Sequence, residues 1–168
     1  MDVPCITIQI KKQGGNMDTS KITRIAIVST LYVVLTIINP FSYDSVQFRI
    51  SEILMFLCLF KKEYIIGVTI GCLISNFFSP IILFDIIFGT TATFLAAILM
   101  YKTKNIYISA LYPIIFNAIL VGIELSICFH TPFFLNAGWV ALGETVVMII
   151  GLLIFLSLRK KEIFKKLI

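Results

Sequence analysis

Arg49, Glu52, Asp85, Glu124 and Glu144 stand inside long apolar runs of this chain, and Asn39, Asn76 and Asn117 add uncharged polarity to the same runs. An ionisable side chain within a membrane span costs a few kcal/mol on insertion scales, so each is a candidate for function. Arg49 and Glu52 are three residues apart and can pair on one helix face. Asn117 and Glu124 are seven apart and share another face. If Arg49 neutralises one acid, up to three carboxylates remain without a cation in the spans.

Ionised carboxylates only accept hydrogen bonds. Such a set favours a ligand with a positive charge or several N–H donors. A guanine-like edge, with its ring N–H and exocyclic amine, suits one carboxylate; an added primary ammonium suits another. Trp139, Phe133, Phe134, Phe84, Phe88 and Tyr112 offer ring surfaces for stacking. Plainer readings stand beside these. Arg49–Glu52 can be a structural pair that holds a helix bend. Asp85 can be an interfacial acid at a helix start, and Trp139 an aromatic-belt anchor. For Glu124 and Glu144 the plain reading is weaker, because no basic residue within the spans is left to pair them.

The elements that must position these groups follow from composition. Of 168 residues, 59% are hydrophobic and only 14% charged. An average soluble domain carries roughly 25% charge. A soluble domain of this length cannot hide so much apolar surface. These figures argue against a soluble enzyme, a nucleic-acid-binding domain and a disulfide-stapled scaffold. A bilayer crossing takes about 20 mostly apolar residues. Six candidates are present: Ile22–Pro40, Val46–Phe60, Tyr64–Ser79, Ile81–Tyr101, Ile106–Phe129 and Leu135–Leu158. The second and third are short, so one is expected to be tilted, broken or partly re-entrant. Ser79-Pro80 predicts a tight link before the fourth.

The basic residues test this division. Thirteen of the 14 Lys and Arg residues precede the first span, fall between the second and third or the fourth and fifth, or follow the sixth. Six crossings put all of them on one side. The positive-inside rule makes that side cytoplasmic, with both termini inside. The +5 charge is therefore read as a topology signal and not as a nucleic-acid patch. On that topology nearly every polar group in the spans lies in the outer half. A relay or through-channel needs polar groups along its whole path; a pocket open outside and sealed below needs them on one side only. The expected organisation is a flexible cytoplasmic tail over 1–17, with Met17 as an alternative start, and a six-helix domain over 18–168. Asp18, Thr19 and Ser20 read as helix-capping residues.

Other motifs are sparse. The chain has no G-x-x-x-x-G-K-[ST], H-E-x-x-H, G-x-S-x-G or C-x-x-C. No cofactor or metal is implied. Cys5, Cys58, Cys72 and Cys128 stand alone, the last three within spans as small fillers. His130 falls at the outer end of the fifth span. Gly67, Gly71 and Ser75, then Ala92 and Ala96, then Ala118 and Gly122, repeat at four-residue spacing, which lets helices approach closely in lipid. Ala26 and Thr30 share that spacing on the first span, facing either the interior or a partner membrane protein.

Several segments resemble the QueT family of substrate-capturing S components of energy-coupling factor transporters: VQFRISE over 46–52, the 64–80 stretch ending in SNFFSP, DIIFGT over 85–90, the 112–122 stretch, and VALGE over 140–144. The resemblance covers about residues 20–160. It implies an all-α, six-helix membrane protein of the S-component type in the cell membrane, which binds a micronutrient from outside. It implies association with a transmembrane coupling protein, EcfT, and two ABC ATPase subunits, and toppling in the bilayer to release substrate inward. QueT-like members are assigned to queuosine precursors, deazaguanines such as the aminomethyl base or queuine. Ala26-x-x-x-Thr30 matches the small-residue motif that docks the coupling protein, with Thr30 a departure from the usual alanine.

The expected function is a non-enzymatic binding subunit. Arg49, Glu52, Asn76, Asp85, Asn117, Glu124, Trp139 and Glu144 form its substrate site, and Ala26 and Thr30 its docking face. Two alternatives remain: a membrane enzyme acting on a lipid or isoprenoid with Mg²⁺, and a standalone small-molecule carrier.

Overall fold

The computed structural model describes residues 19–44, 46–103 and 105–159. The tail over 1–17, Asp18 and the C-terminal residues 160–168 lie outside these. Every regular element described is helical: α1 (Thr19–Ile38), α2 (Glu63–Asn76), α3 (Ile82–Thr103), α4 (Ile106–Ser109), α5 (Leu111–Phe129) and α6 (Phe133–Arg159), with 3₁₀ segments at Pro40–Tyr43 and Ile50–Leu59. Four helices are long and apolar enough to cross a bilayer: Thr19–Ile38, Ile82–Thr103, Ile106–Phe129 and Phe133–Leu158.

The two short candidate spans differ from the other four. Instead of an α-helix over Val46–Phe60, the chain runs irregularly through Gln47, Phe48 and Arg49 and then winds as a 10-residue 3₁₀ segment. At about 2.0 Å per residue this reaches about 20 Å, short of a roughly 30 Å hydrocarbon core. A three-residue period puts Glu52, Met55 and Cys58 on one face, and all three are fully buried. The 14-residue α2 spans about 21 Å.

Contacts give the relative directions. Ser29 Oγ donates to the Gly67 carbonyl at 2.8 Å and Arg24 pairs with Glu63 at 2.8 Å, so α1 and α2 run parallel. A Cβ added to Gly71 would lie 2.6 Å from Tyr32 Cβ, so this glycine sets how closely α1 and α2 approach. Asn76 reaches Asp85 and Thr90 while Cys72 meets Thr93, so α2 and α3 are antiparallel. Gly122 abuts Ala137 and Asn117 meets Glu144, so α5 and α6 are antiparallel. The small-residue stripes on α2, α3 and α5 therefore serve packing within the bundle.

This arrangement gathers the C-termini of α1, α2 and α5 and the N-termini of α3 and α6 at one end. Lys21, Arg24, Lys61, Lys62 and Lys102 belong to the other. The interior there is apolar, with Met55, Phe56, Cys58, Val68, Met100, Val147, Met148 and Phe155 in one cluster. Thr19 and Ser20 lie inside the first turn of α1, where Ser20 Oγ accepts from Arg24 at 2.6 Å, a role in side-chain pairing.

Candidate functional site

The polar end is built around a folded loop. Asn39 accepts the Phe41 N–H at 3.1 Å and donates to the Phe48 carbonyl at 2.5 Å, which closes residues 39–48 on themselves. Tyr43 anchors the loop to α2 through its hydroxyl, 2.6 Å from the Ser75 carbonyl. Gln47 sits at φ 46°, a left-handed conformation uncommon for a side-chain-bearing residue. The turn carries the backbone off any helical path just before Arg49. The Val46 carbonyl lies so close to Gly143 that any Cβ there would overlap it, which fixes the loop against α6 beside Glu144.

Arg49 does not pair with Glu52. Its Nη2 lies 2.9 Å from Asp85 Oδ1, its Nε donates to the Ser42 carbonyl at 3.1 Å, and its guanidinium stands 5.8 Å from the centre of the Tyr43 ring. The expected i, i+3 pair fails because Arg49 precedes the 3₁₀ segment as its cap, so helical spacing does not apply. Gly89 leaves room for this pair, since a Cβ there would sit 3.5 Å from Arg49 Nη1 and 3.2 Å from Asn76 Nδ2. Asp85 is buried and is no exposed interfacial acid. Its second oxygen accepts from Ser79 Oγ, which also caps the helix start by accepting the Ile81 N–H at 3.1 Å. Asn76 Nδ2 donates to the Asp85 carbonyl at 2.7 Å.

Glu52 is held differently. Its Oε1 accepts from the Tyr32 hydroxyl at 2.6 Å and from Thr93 Oγ1 at 3.3 Å. Thr36 Oγ1 donates to Ser51 Oγ at 2.7 Å beside it. Asn117 Nδ2 donates to Glu144 Oε1 at 2.8 Å, tying α5 to α6. Glu52 and Glu144 are electrostatic neighbours, as are Glu124 and Asp85. Glu52, Asp85, Glu124 and Glu144 are each at most 2% exposed. Glu52 Oε2, Glu144 Oε2, Asn76 Oδ1 and both Glu124 oxygens have no donor. A buried acceptor without a donor is costly, and a buried charge without a partner more so. Apart from the Ser42 hydroxyl, the unfilled capacity at this end is acceptor capacity.

A cavity of about 140 Å³ opens above Asp85, lined by Tyr43, Asp44, Gln47, Pro80, Ile81, Asp85, Leu125 and Phe129. Ligand pockets usually enclose about 300 Å³ or more. A guest the size of a bicyclic base needs the loop to shift.

Seven of the eight expected site residues are thus buried at one end. Trp139 is the exception, 47% exposed and grouped with Phe134, Leu135 and Leu142 on the outer surface of α6. Five residues separate it from Glu144, about 140° around the helix, so the two face different ways. The proposed ring surfaces diverge too. Phe134 is exposed, Phe84 stacks on Phe88, and Tyr112 bonds Thr103 at 2.7 Å toward the basic end. Ala26 and Thr30 lie on the exposed face of α1, away from α2.

Tyr32, Tyr43, Ser79 and Thr93 were not among the residues expected here. A signal existed for the first: Ser29, Tyr32 and Thr36 form a polar stripe at helical spacing on α1, and all three are buried. Cys72 is more than filler, since Thr93 Oγ1 approaches its sulfur at 3.3 Å.

Comparison with known proteins agrees with the resemblance seen in the sequence. The family model described as QueT transporter matches residues 22–160. The Queuosine precursor transporter QueT of Lactococcus lactis subsp. cremoris (strain MG1363) is 38% identical over 160 residues, covering 85% of this chain and 94% of that protein. No solved structure gives a significant match. With a matching family model over most of its length, a relative 38% identical over 85% of the chain, and four helices long and apolar enough to make it a multi-pass membrane protein, this chain belongs to the QueT transporter family.

Proposed function

We propose that this chain is the substrate-binding subunit of an energy-coupling factor importer, capturing a queuosine precursor of the deazaguanine type from outside the cell. The observation that carries this reading is the set of buried acceptors at one end: Glu52, Glu124 and Glu144 keep oxygens without donors, and Arg49 is already committed to Asp85. A deazaguanine presents ring and exocyclic N–H donors that match such acceptors. Arg49, Glu52, Asn76, Asp85, Asn117, Glu124 and Glu144 form the site; Trp139 belongs to the lipid-facing surface.

Six passages of the bilayer, with the 3₁₀ segment and α2 as the short ones, put both termini in the cytoplasm and the site outside. Energy comes from two ABC ATPase subunits through the coupling protein EcfT, which docks on the α1 face carrying Ala26 and Thr30. Small residues there permit close helix approach.

The test is calorimetric titration of the purified full-length chain with guanine, queuine and the aminomethyl and cyano deazaguanines. Saturable binding of at least one deazaguanine, with guanine weaker, is the expected result. Absence of saturable heat from every deazaguanine would overturn the substrate assignment.

A further inference from the structure

The unfilled side-chain atoms at the polar end are, Ser42 apart, acceptors. A deazaguanine also carries a ring carbonyl, which needs a donor. Most donors there are already spent. Arg49 gives its Nη2 to Asp85 and its Nε to the Ser42 carbonyl, Tyr43 gives its hydroxyl to the Ser75 carbonyl, and Ser79 gives its own to Asp85. The Ser42 hydroxyl has no partner but does not border the cavity above Asp85. Gln47 does. It is 3% exposed and stands in the cavity wall with Tyr43 and Asp85. Among the described residues none bonds its side-chain amide.

The backbone at Gln47 makes that placement unusual. Its φ of 46° is a conformation that glycine adopts freely and a residue with a Cβ does not. The turn is closed on both sides: the Gln47 N–H donates to the Asp44 carbonyl at 2.8 Å, and the Arg49 N–H donates to the Gln47 carbonyl at 2.9 Å. Glycine would suit this turn better, so the turn alone does not account for glutamine. Strained residues of this kind gather where a ligand is clamped.

We infer that Gln47 is a substrate-binding residue whose side-chain amide donates to the ring carbonyl of the guest, the edge group that ionised carboxylates cannot bond. The amide oxygen accepts the neighbouring ring N–H, since a carboxamide offers both functions side by side. The turn aims this amide into the cavity. This rests on the deazaguanine reading and adds the residue that recognises the oxygen of the base.

The experiment titrates the purified full-length chain in nanodiscs with 7-aminomethyl-7-deazaguanine and with its 6-thio analogue, whose sulfur accepts only weakly. Thermal unfolding of each variant is measured alongside. The unaltered chain should prefer the oxo base about tenfold. Gln47→Gly should weaken the oxo base about tenfold and bring the two within about twofold. Its melting temperature should stay at or above that of the unaltered chain, because glycine relieves the turn. Gln47→Asn, which keeps the amide and tolerates a positive φ, should retain a preference for the oxo base. An unchanged oxo-to-thio ratio in Gln47→Gly would overturn the assignment and leave the deazaguanine reading intact. A lower melting temperature with equal loss of both bases would give Gln47 to the turn alone and overturn it as well. Failure of the unaltered chain to bind either base would overturn the deazaguanine reading, and the role of Gln47 with it.

Discussion

Tyr32 and Glu52 tie α1 to the 3₁₀ segment. The tyrosine hydroxyl donates to Glu52 Oε1 at 2.6 Å, with both side chains fully buried. Thr30, two residues away and about 160° around the helix, is exposed. One face of α1 thus grips an acid of the candidate site on the neighbouring 3₁₀ segment, while the opposite face carries the proposed docking surface. Tyr32→Phe leaves that carboxylate oxygen with only the longer Thr93 bond. The expected cost is about 1–3 kcal/mol. Thermal unfolding in detergent, compared with the unaltered chain, measures it; an unchanged melting temperature would remove this bond from the stability of the site.

Glu144→Gln should weaken deazaguanine binding at least tenfold, about 1.4 kcal/mol, without preventing membrane insertion. The amide oxygen still accepts from Asn117, so that bond survives, while the open oxygen is replaced by an NH2 group that donates where the guest's N–H needs an acceptor. Titration calorimetry on the purified variant decides, and unchanged affinity would take Glu144 out of the site.

Thr30→Leu should reduce uptake and spare binding. The larger side chain projects from the exposed face of α1, where close approach by a partner helix is proposed. Uptake by cells and ligand binding by the purified chain are the two readings to compare. Normal uptake would count against docking at this face.

Arg49→Met should destabilise the protein by about 3–5 kcal/mol, because it leaves Asp85 buried with no cation at 2.9 Å. Adding Asp85→Leu should recover much of that loss, since replacing a whole buried pair by apolar groups is often neutral. A double variant as unstable as the single one would show that Arg49 acts mainly through Ser42 and Tyr43.

Gly143→Ala should disturb the loop that precedes the 3₁₀ segment. The added methyl meets the Val46 backbone carbonyl, and backbone cannot rotate away as a side chain can. A loss of about 1–3 kcal/mol is expected from such overpacking. Limited proteolysis between residues 39 and 49 should speed up in the variant; unaltered cleavage would mean that α6 gives way instead.

The long spans and the buried acids were legible in the sequence because a charge in an apolar run is conspicuous and period-independent. The partners of those acids were not. Three-residue spacing lets Arg49 and Glu52 pair only on a continuous helix, and the turn at Gln47 breaks that continuity. Tyr32 and Thr93 look ordinary in an apolar helix until the neighbour they face is known. Trp139 is a large ring close in sequence to polar residues, but the angle between it and Glu144 on α6 sends it outward. Local spacing carries information only within one helix, whereas this site is assembled from α1, α2, α3, α5, α6 and the 3₁₀ segment.

The plug of methionine and phenylalanine beneath Glu52 has a consequence for traffic. A solute whose donors have been matched at the upper end would have to surrender each of them to advance past Met55, Phe56 and Met148, with no replacement on offer. For the proposed importer, inward delivery would therefore have to undo the binding place itself: the walls come apart, and the passenger leaves when its host is deformed.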